Sequence, residues 1–278
     1  MALDQIDVDN YEEEQEKEMS FLEHLEELRW HLVRSVVAVV ILAIVVFLAE
    51  DFVFGSVIYG PRNEGFLSYQ LLCAISEDLC FVPRTIKLQA IEVGEQFFTH
   101  IKVSFIMGFV MAFPYLFWEI WRFVKPGLYK EEQRATGGIV LICSTLFVIG
   151  VCFGYFIISP FAINFLLGYD LAGEIIAAPS LSSYVNTMTM VTLPTGLVFE
   201  LPIVVYFFTK LGLLTPDIMR TYRKHAFIII LILSAVITPP DIVTQFLIGV
   251  PLFVLYEGSI SISRRVIRKQ EEEERASL

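Results

Sequence analysis

The sequence predicts an all-α polytopic membrane protein with six transmembrane helices, the last two short, and both termini cytoplasmic. Three observations carry that reading. The 278 residues are 55% hydrophobic and only 18% charged, whereas soluble globular chains carry about 25% charged residues. The mean hydropathy is +0.64, and the apolar residues fall in blocks close to the roughly 20 residues that a bilayer crossing needs. Lys and Arg concentrate in loops 125–134 and 210–224 and the C-terminal tail, while Arg62, Arg84 and Lys87 lie in a first loop long enough to weaken the rule there, and this fixes an orientation by the positive-inside rule.

The net charge of −11 is not a whole-molecule field. Eight acids lie between Asp4 and Glu18 and four more at Glu271 to Glu274, and such runs are expected to be solvated tails. Residues 1–18 therefore read as a disordered acidic tail, 19–263 as the membrane domain and 264–278 as a charged cytoplasmic tail. No basic n-region precedes the first apolar stretch, so no cleavable signal peptide is expected.

Order should begin near Met19. Ser20 and Glu23 fit a capping box, and Phe21, Leu22, Leu25, Leu28 and Leu32 recur at helical spacing. This predicts an amphipathic helix that lies at the interface and then turns into the membrane. The first span is 31–48, closed by Glu50 and Asp51. A long loop follows to Gly94, with a short apolar element over 70–81 and a strand-like alternation over 86–91. The second span is 97–124, with Pro114 as a kink and Lys125-Pro126-Gly127 as the breaker after it. The third is 136–159, followed by a loop over 160–183 without Lys or Arg.

The fourth span, 185–211, contains Pro194, Gly196 and Pro202. A basic loop over 213–223 leads to the fifth, 224–237, and Thr238 to Asp241 separates it from the sixth, 242–256. At 1.5 Å per residue these last two cover roughly 20–24 Å, against a hydrocarbon core of about 30 Å. Loops 125–134 and 210–224 and the C-terminal tail are basic, which places both termini inside. Cys73 and Cys80 then lie outside, where a disulfide forms if the compartment is oxidising. Cys143 and Cys152 read as core residues of an apolar helix.

Glu200 is the chemical clue. It lies between Phe199 and Leu201, with no basic residue back to Arg134. A charge at bilayer depth costs roughly 2.5–3.5 kcal/mol even on the lenient insertion scale. It should face a cavity, another helix or a partner, or be protonated. The alternative is a neutral carboxyl hydrogen-bonded to a neighbouring helix, for example to Gln245. Elsewhere no GxSxG, HExxH or Walker-type loop appears, and the four His residues stand apart. An enzyme, a metal, a cofactor and a nucleic-acid partner are not expected. What remains is acids at one membrane face: Glu23, Glu26 and Glu27 before the first span, Glu131 and Glu132 after the second. They suit a basic peptide, because guanidinium pairs bidentately with carboxylate.

Four collinear stretches carry a family resemblance. Ser20 to Arg29 (SFLEHLEELR), Phe123 to Glu132 (FVKPGLYKEE), Phe199 to Pro202 (FELP), and Thr238 to Asp241 (TPPD) with Gln245 resemble, in order, the motifs of TatC, the multispanning receptor of the twin-arginine translocase. The departure is the first outer loop, whose 51–87 portion is longer than the family pattern.

The resemblance implies a receptor that binds paired-arginine signal peptides of folded precursors in the cytoplasmic (inner) membrane. Glu27 and Glu132 fall on its signal-binding carboxylates, and Arg29, Phe123, Pro126 and Tyr129 on other motif positions. It further implies that Glu200, with Gln245 and Asp241, forms an intramembrane polar spot. That spot would meet single-span TatA/TatB-type subunits, within a homo-oligomeric receptor complex that uses the proton gradient. The alternative reading is a proton-coupled secondary transporter.

Overall fold

The structure, a computed structural model, describes residues 21–63, 65–75, 87–124, 136–169, 178–238 and 242–277. It is all-helical among these residues. In order the helices are α1 Phe21–Leu48, α2 Glu50–Phe52, α3 Leu67–Ile75, α4 Glu95–Val124, α5 Thr136–Phe153, α6 Ser159–Gly168, α7 Leu181–Val198, α8 Leu201–Lys210, α9 Pro216–Thr221, α10 Arg223–Ile237 and α11 Ile242–Ser277. Among the described residues, five stretches are long and apolar enough to cross a membrane: Glu26–Leu48, Glu95–Val124, Gly138–Gly168, Leu181–Lys210 and Ile242–Glu272.

Several expectations shift. α1 runs unbroken from Phe21 to Leu48, so the amphipathic start continues into the first span instead of turning from it. Ser20 lies outside the described residues. The third span does not stop at Ser159. A π-type turn over Gly154–Ile158 leads into α6, and the helix continues to Gly168. Proline lacks an N–H and leaves the carbonyl four residues earlier without its donor. For Pro160 that carbonyl is Phe156's, and the Ser68 hydroxyl donates to it. A side chain from the connection between the first two spans thus pairs with that carbonyl, and Pro160 itself sits in the first turn of α6, where a missing N–H is tolerated.

The fourth span does break, at Phe199–Glu200 between α7 and α8, with Pro202 in the first turn of α8. The basic loop over 213–223 contains a helix, α9, capped by Thr215, whose hydroxyl accepts from the Ile218 N–H at 3.3 Å. α10 is short, as expected, with 15 residues. α11 is not: its 36 residues extend through the basic and acidic run to Ser277, because the extension is held from the side. Thr209 of α8 bonds Ser263 at 2.9 Å, and Gln270 donates to the Lys210 carbonyl at 3.4 Å.

The helices meet through small residues, the usual means of close packing where apolar burial gives no preference for protein over lipid. A Cβ on Gly108 of α4 would lie 2.6 Å from the Ala43 nitrogen of α1. On Gly196 of α7 it would lie 2.6 Å from Val151 Cγ2, and on Gly154 it would lie 2.8 Å from the Thr192 Cα. The outward faces remain apolar and exposed, as at Val36, Ile41, Ile44, Leu141, Ile232 and Val250. That is the pattern of helices facing lipid.

The chain gathers two ends. Call the near face the end where α1 begins; Trp121, Ile139, Tyr206 and Phe207 cluster there. At the far face the long connection between the first two spans folds onto the third and fourth. Tyr155 donates to the Val57 carbonyl at 2.6 Å, Tyr184 to that of Ile58 at 2.9 Å, and Tyr69 to that of Pro61 at 2.7 Å. Burial pushes the Tyr69 phenol up to about 12. Of the apolar element expected over 70–81, residues 70–75 belong to α3, which begins earlier at Leu67, and residues 76–81 lie outside the described ones. The strand expected over 86–91 reduces to a single parallel bridge, Gln89 to Ser180. Cys73, on α3, is disulfide-bonded, and Cys80 lies outside the described residues.

Candidate functional site

Glu27 sits one turn before His31 on α1. Its carboxylate lies 3.9 Å from His31 Nε2, and its side chain is 37% exposed. His31 itself is buried, and its Nδ1–H donates to Glu119 Oε2 on α4. Glu119 is 1% exposed. Tyr115, one turn earlier on α4, donates to Glu119 Oε1 at 2.7 Å. The Phe123 ring stands edge-on to His31, 6.1 Å away at 65°. The α1–α4 crossing thus ends at the near face in a chain of polar groups, Tyr115, Glu119, His31 and Glu27, flanked by Phe123.

Two sequence-predicted residues, Glu27 and Phe123, therefore converge on one imidazole. The loop that carries Pro126, Tyr129 and Glu132 leaves α4 at Val124, the residue after Phe123. Those three residues lie outside the described ones. Arg29 does not join the group: it pairs with Glu26 at 3.4 Å and lies over the Trp30 ring at 5.5 Å.

The second locus is Glu200, 9% exposed at the α7–α8 break. Cys143 of α5 donates its thiol to Oε2 at 2.7 Å. The expected neighbour Gln245 is engaged elsewhere, donating to the Leu231 carbonyl of α10 at 3.3 Å. Glu200 therefore has a helix-borne hydrogen-bond partner, as one reading anticipated, but the partner is Cys143. Oε1 meets no donor in good geometry among the described residues. Asp241 lies outside the described residues. Cys143 is a core residue, as expected, whereas Cys152 is exposed on the outer side of its helix.

A third buried acid, Glu95, opens α4 at the far face. Its Oε2 accepts from the Ile91 N–H at 2.6 Å and the Glu92 N–H at 3.2 Å, and its Oε1 from the Ser182 N–H at 2.8 Å. It ties the approach to α4 to the start of α7. No cluster of His, Cys, Asp and Glu able to hold a metal occurs among the described residues.

Sequence reasoning passed over His31, Glu119 and Cys143. Glu119 carried the same signal as Glu200, a carboxylate between apolar neighbours inside a span. His31 opens the first span one helical turn after Glu27. Cys143 carried no signal, since a thiol in an apolar helix looks like any small hydrophobe.

These features define a multi-pass, all-helical membrane protein with carboxylates at one face and at the break of an internal helix. Comparison with known proteins gives the family. The family described as Sec-independent protein translocase protein (TatC) matches residues 23–251, and the chain belongs to it. A protein named Sec-independent protein translocase protein TatC from Blattabacterium sp. subsp. Periplaneta americana (strain BPLAN) is 36% identical over 263 residues, covering 92% of this chain and 99% of that one. Its namesake from Aquifex aeolicus (strain VF5) is 34% identical over 260 residues, covering 93% and 100%. Two crystal structures described as the twin arginine translocase receptor TatC, one of them in DDM, superpose with TM-scores of 0.68 and 0.70 at 32% identity. They cover 88% and 87% of this chain. The chain is thus a component of a Sec-independent protein translocase, and the transporter alternative gains no support.

Proposed function

We propose that this protein is the signal receptor of a twin-arginine translocase, with Glu27 and Glu132 as the carboxylates that take the paired guanidinium groups. The observation that carries this reading is the convergence of Glu27 and Phe123 on His31 at the near face, beside the exit of the loop that bears Glu132. A half-exposed carboxylate there keeps most of its acceptor capacity. Each charge-assisted hydrogen bond to a guanidinium contributes about 1.5–3 kcal/mol. Phe123, Pro126 and Tyr129 shape the loop around the peptide. Arg29 stays on the neighbouring surface.

The near face is cytoplasmic in this reading, with both termini inside and six passes through the inner membrane, α10 being the fifth. The membrane domain spans 19–263, flanked by an acidic tail over 1–18 and a charged tail over 264–278. Cys73 and Cys80 bond to each other on the outer side. Glu200, with its free oxygen, receives a polar residue of a single-span TatA/TatB-type subunit, with Gln245 and Asp241 at the outer end of the same region. Homo-oligomeric receptors and the proton gradient complete export.

The test is photo-crosslinking of a twin-arginine signal peptide to probes placed at 20–29 and 123–132. Capture at both segments is expected, with loss when the paired arginines become lysines. Binding that is unchanged in a Glu27→Ala, Glu132→Ala double variant overturns the assignment.

A further inference from the structure

The receptor reading uses His31 only as the point where Glu27 and Phe123 meet, and gives the buried His31–Glu119 pair no task. It sits where α1 and α4 cross, and its outer end touches both described residues of the candidate site. His31 Nδ1–H is fixed by Glu119, Glu119 is fixed in turn by Tyr115 at 2.7 Å, and Nε2 faces Glu27 at 3.9 Å. That last distance is an ion-pair distance and too long for a hydrogen bond. When the imidazole carries a proton on both nitrogens, this contact attracts and orients Glu27 without consuming its lone pairs.

We infer that His31 is a positioning residue for signal-peptide binding, an α4-anchored imidazole that presents the Glu27 carboxylate to the incoming guanidinium. The inference rests on the receptor reading above and deepens it. A Glu side chain on an open helix surface loses rotamer freedom when a ligand fixes it. A cation beside the carboxylate fixes it beforehand, which is how pre-organisation raises affinity. The same cation would repel the guanidinium if it stood alone. It does not, because the Glu119 carboxylate behind it makes the pair neutral overall. The pull on Glu27 is local and the repulsion of the ligand is weak.

Among the described side chains, the charged and titratable groups facing this pair are few. On α1 they are Glu27 and Arg34; on α4 they are Tyr115, Glu119 and Arg122, with Phe123 as the aromatic neighbour. Arg34 and Arg122 reach the Tyr115–Glu119 end through space. Carboxylates and guanidinium groups keep their charge across the range in which imidazole titrates, about pH 5.5 to 8.5. A pH dependence of binding in that range, removed by changing His31, therefore reports on this residue.

The experiment measures affinity of a twin-arginine signal peptide for the full-length protein in detergent micelles, for wild type, His31→Gln, Glu27→Gln and the double variant, at steps from about pH 5.5 to 8.5. Glutamine keeps a donor toward Glu119 but cannot carry a charge. The expected result is three- to tenfold weaker binding for His31→Gln, a wild-type affinity that falls as pH rises, and a flat profile for the variant. In the Glu27→Gln background the His31 change should alter affinity less than twofold, since it acts through Glu27.

An equal effect of His31→Gln with and without Glu27, tighter binding in His31→Gln, or an unchanged pH profile overturns the inference. If Glu27→Gln itself leaves binding untouched, the receptor reading fails instead. Should His31→Gln not fold, the His31→Gln, Glu119→Gln pair, neutral and mutually hydrogen-bonded, is measured in its place, with the same outcomes.

Discussion

Glu200 is a carboxyl with one oxygen satisfied and one not. Cys143 donates to Oε2, and Oε1 is buried with no donor in good geometry among the described residues. Leaving a buried polar atom unpaired costs about 1–3 kcal/mol, so the arrangement is stable only because other packing supports it, and it favours any helix that brings a donor. Two outcomes follow at the residue scale. Cys143→Ala removes the side-chain donor that Glu200 has among the described residues and should lower stability by about 1–3 kcal/mol, while Cys143→Ser keeps a donor and should cost less; detergent unfolding midpoints compare the two. Glu200→Ala should weaken co-purification of single-span subunits while leaving twin-arginine peptide affinity near wild type. Equal loss of both would argue for a general folding defect and against a docking role.

At the scale of elements, the α1–α4 crossing sets the candidate site, and it depends on Gly108. A side chain there meets the Ala43 backbone nitrogen, Cα and Cβ at 2.6–3.0 Å, and backbone cannot move aside as a flexible side chain can. Gly108→Val should destabilise the protein by about 1–3 kcal/mol through overpacking. By separating α1 from α4 it should also weaken peptide binding. Gly138, with nothing near its Cβ position, is the matched control, and Gly138→Ala should leave the melting midpoint within a degree or so. The helical elements were legible in the sequence because apolar blocks of span length are read directly. Their ends were not. Pro160 reads as a stop, but it falls in the first turn of α6, and Ser68, 92 residues earlier in the chain, pairs with the Phe156 carbonyl. The polar tail of α11 reads as the end of order, yet Thr209 and Lys210 across the bundle bond to it and Arg268 pairs with Glu272 along it. Glu27 was found because it lies in a motif at an exposed helix start, whereas His31 and Glu119 become a pair only when α1 is laid against α4.

For the whole molecule the question is how a bundle of unequal helices sits in one bilayer. The far face is a folded cap. Glu95 gathers three backbone N–H groups from two segments. Glu95→Gln should loosen it by about 1–3 kcal/mol, visible as faster amide exchange at Ile91 and Ser182 with the near face unaffected. The opposite extreme is α10. Its 15 residues reach about 22 Å, against a hydrocarbon core of about 30 Å. Phe227 and Val236 are both exposed on its outer surface and lie about 14 Å apart along the axis. Spin labels at these two positions measure the local thickness, because the tilt-corrected depths from each boundary and the axial separation must add to it. If the bilayer thins to fit α10, the two depths sum to about 8 Å; if it keeps its ordinary thickness, they sum to about 16 Å. Mismatch costs fractions of a kcal/mol per Å, small enough for the lipid to adjust around a rigid bundle, so the smaller sum is expected. A thinned patch beside the Glu200 helix would lower the barrier to a folded cargo at the place where a partner helix docks. Lengthening α10 by four apolar residues, about 6 Å, should then raise the sum of depths and reduce export while peptide binding at the near face is retained. A sum near 16 Å in the unmodified protein removes the idea.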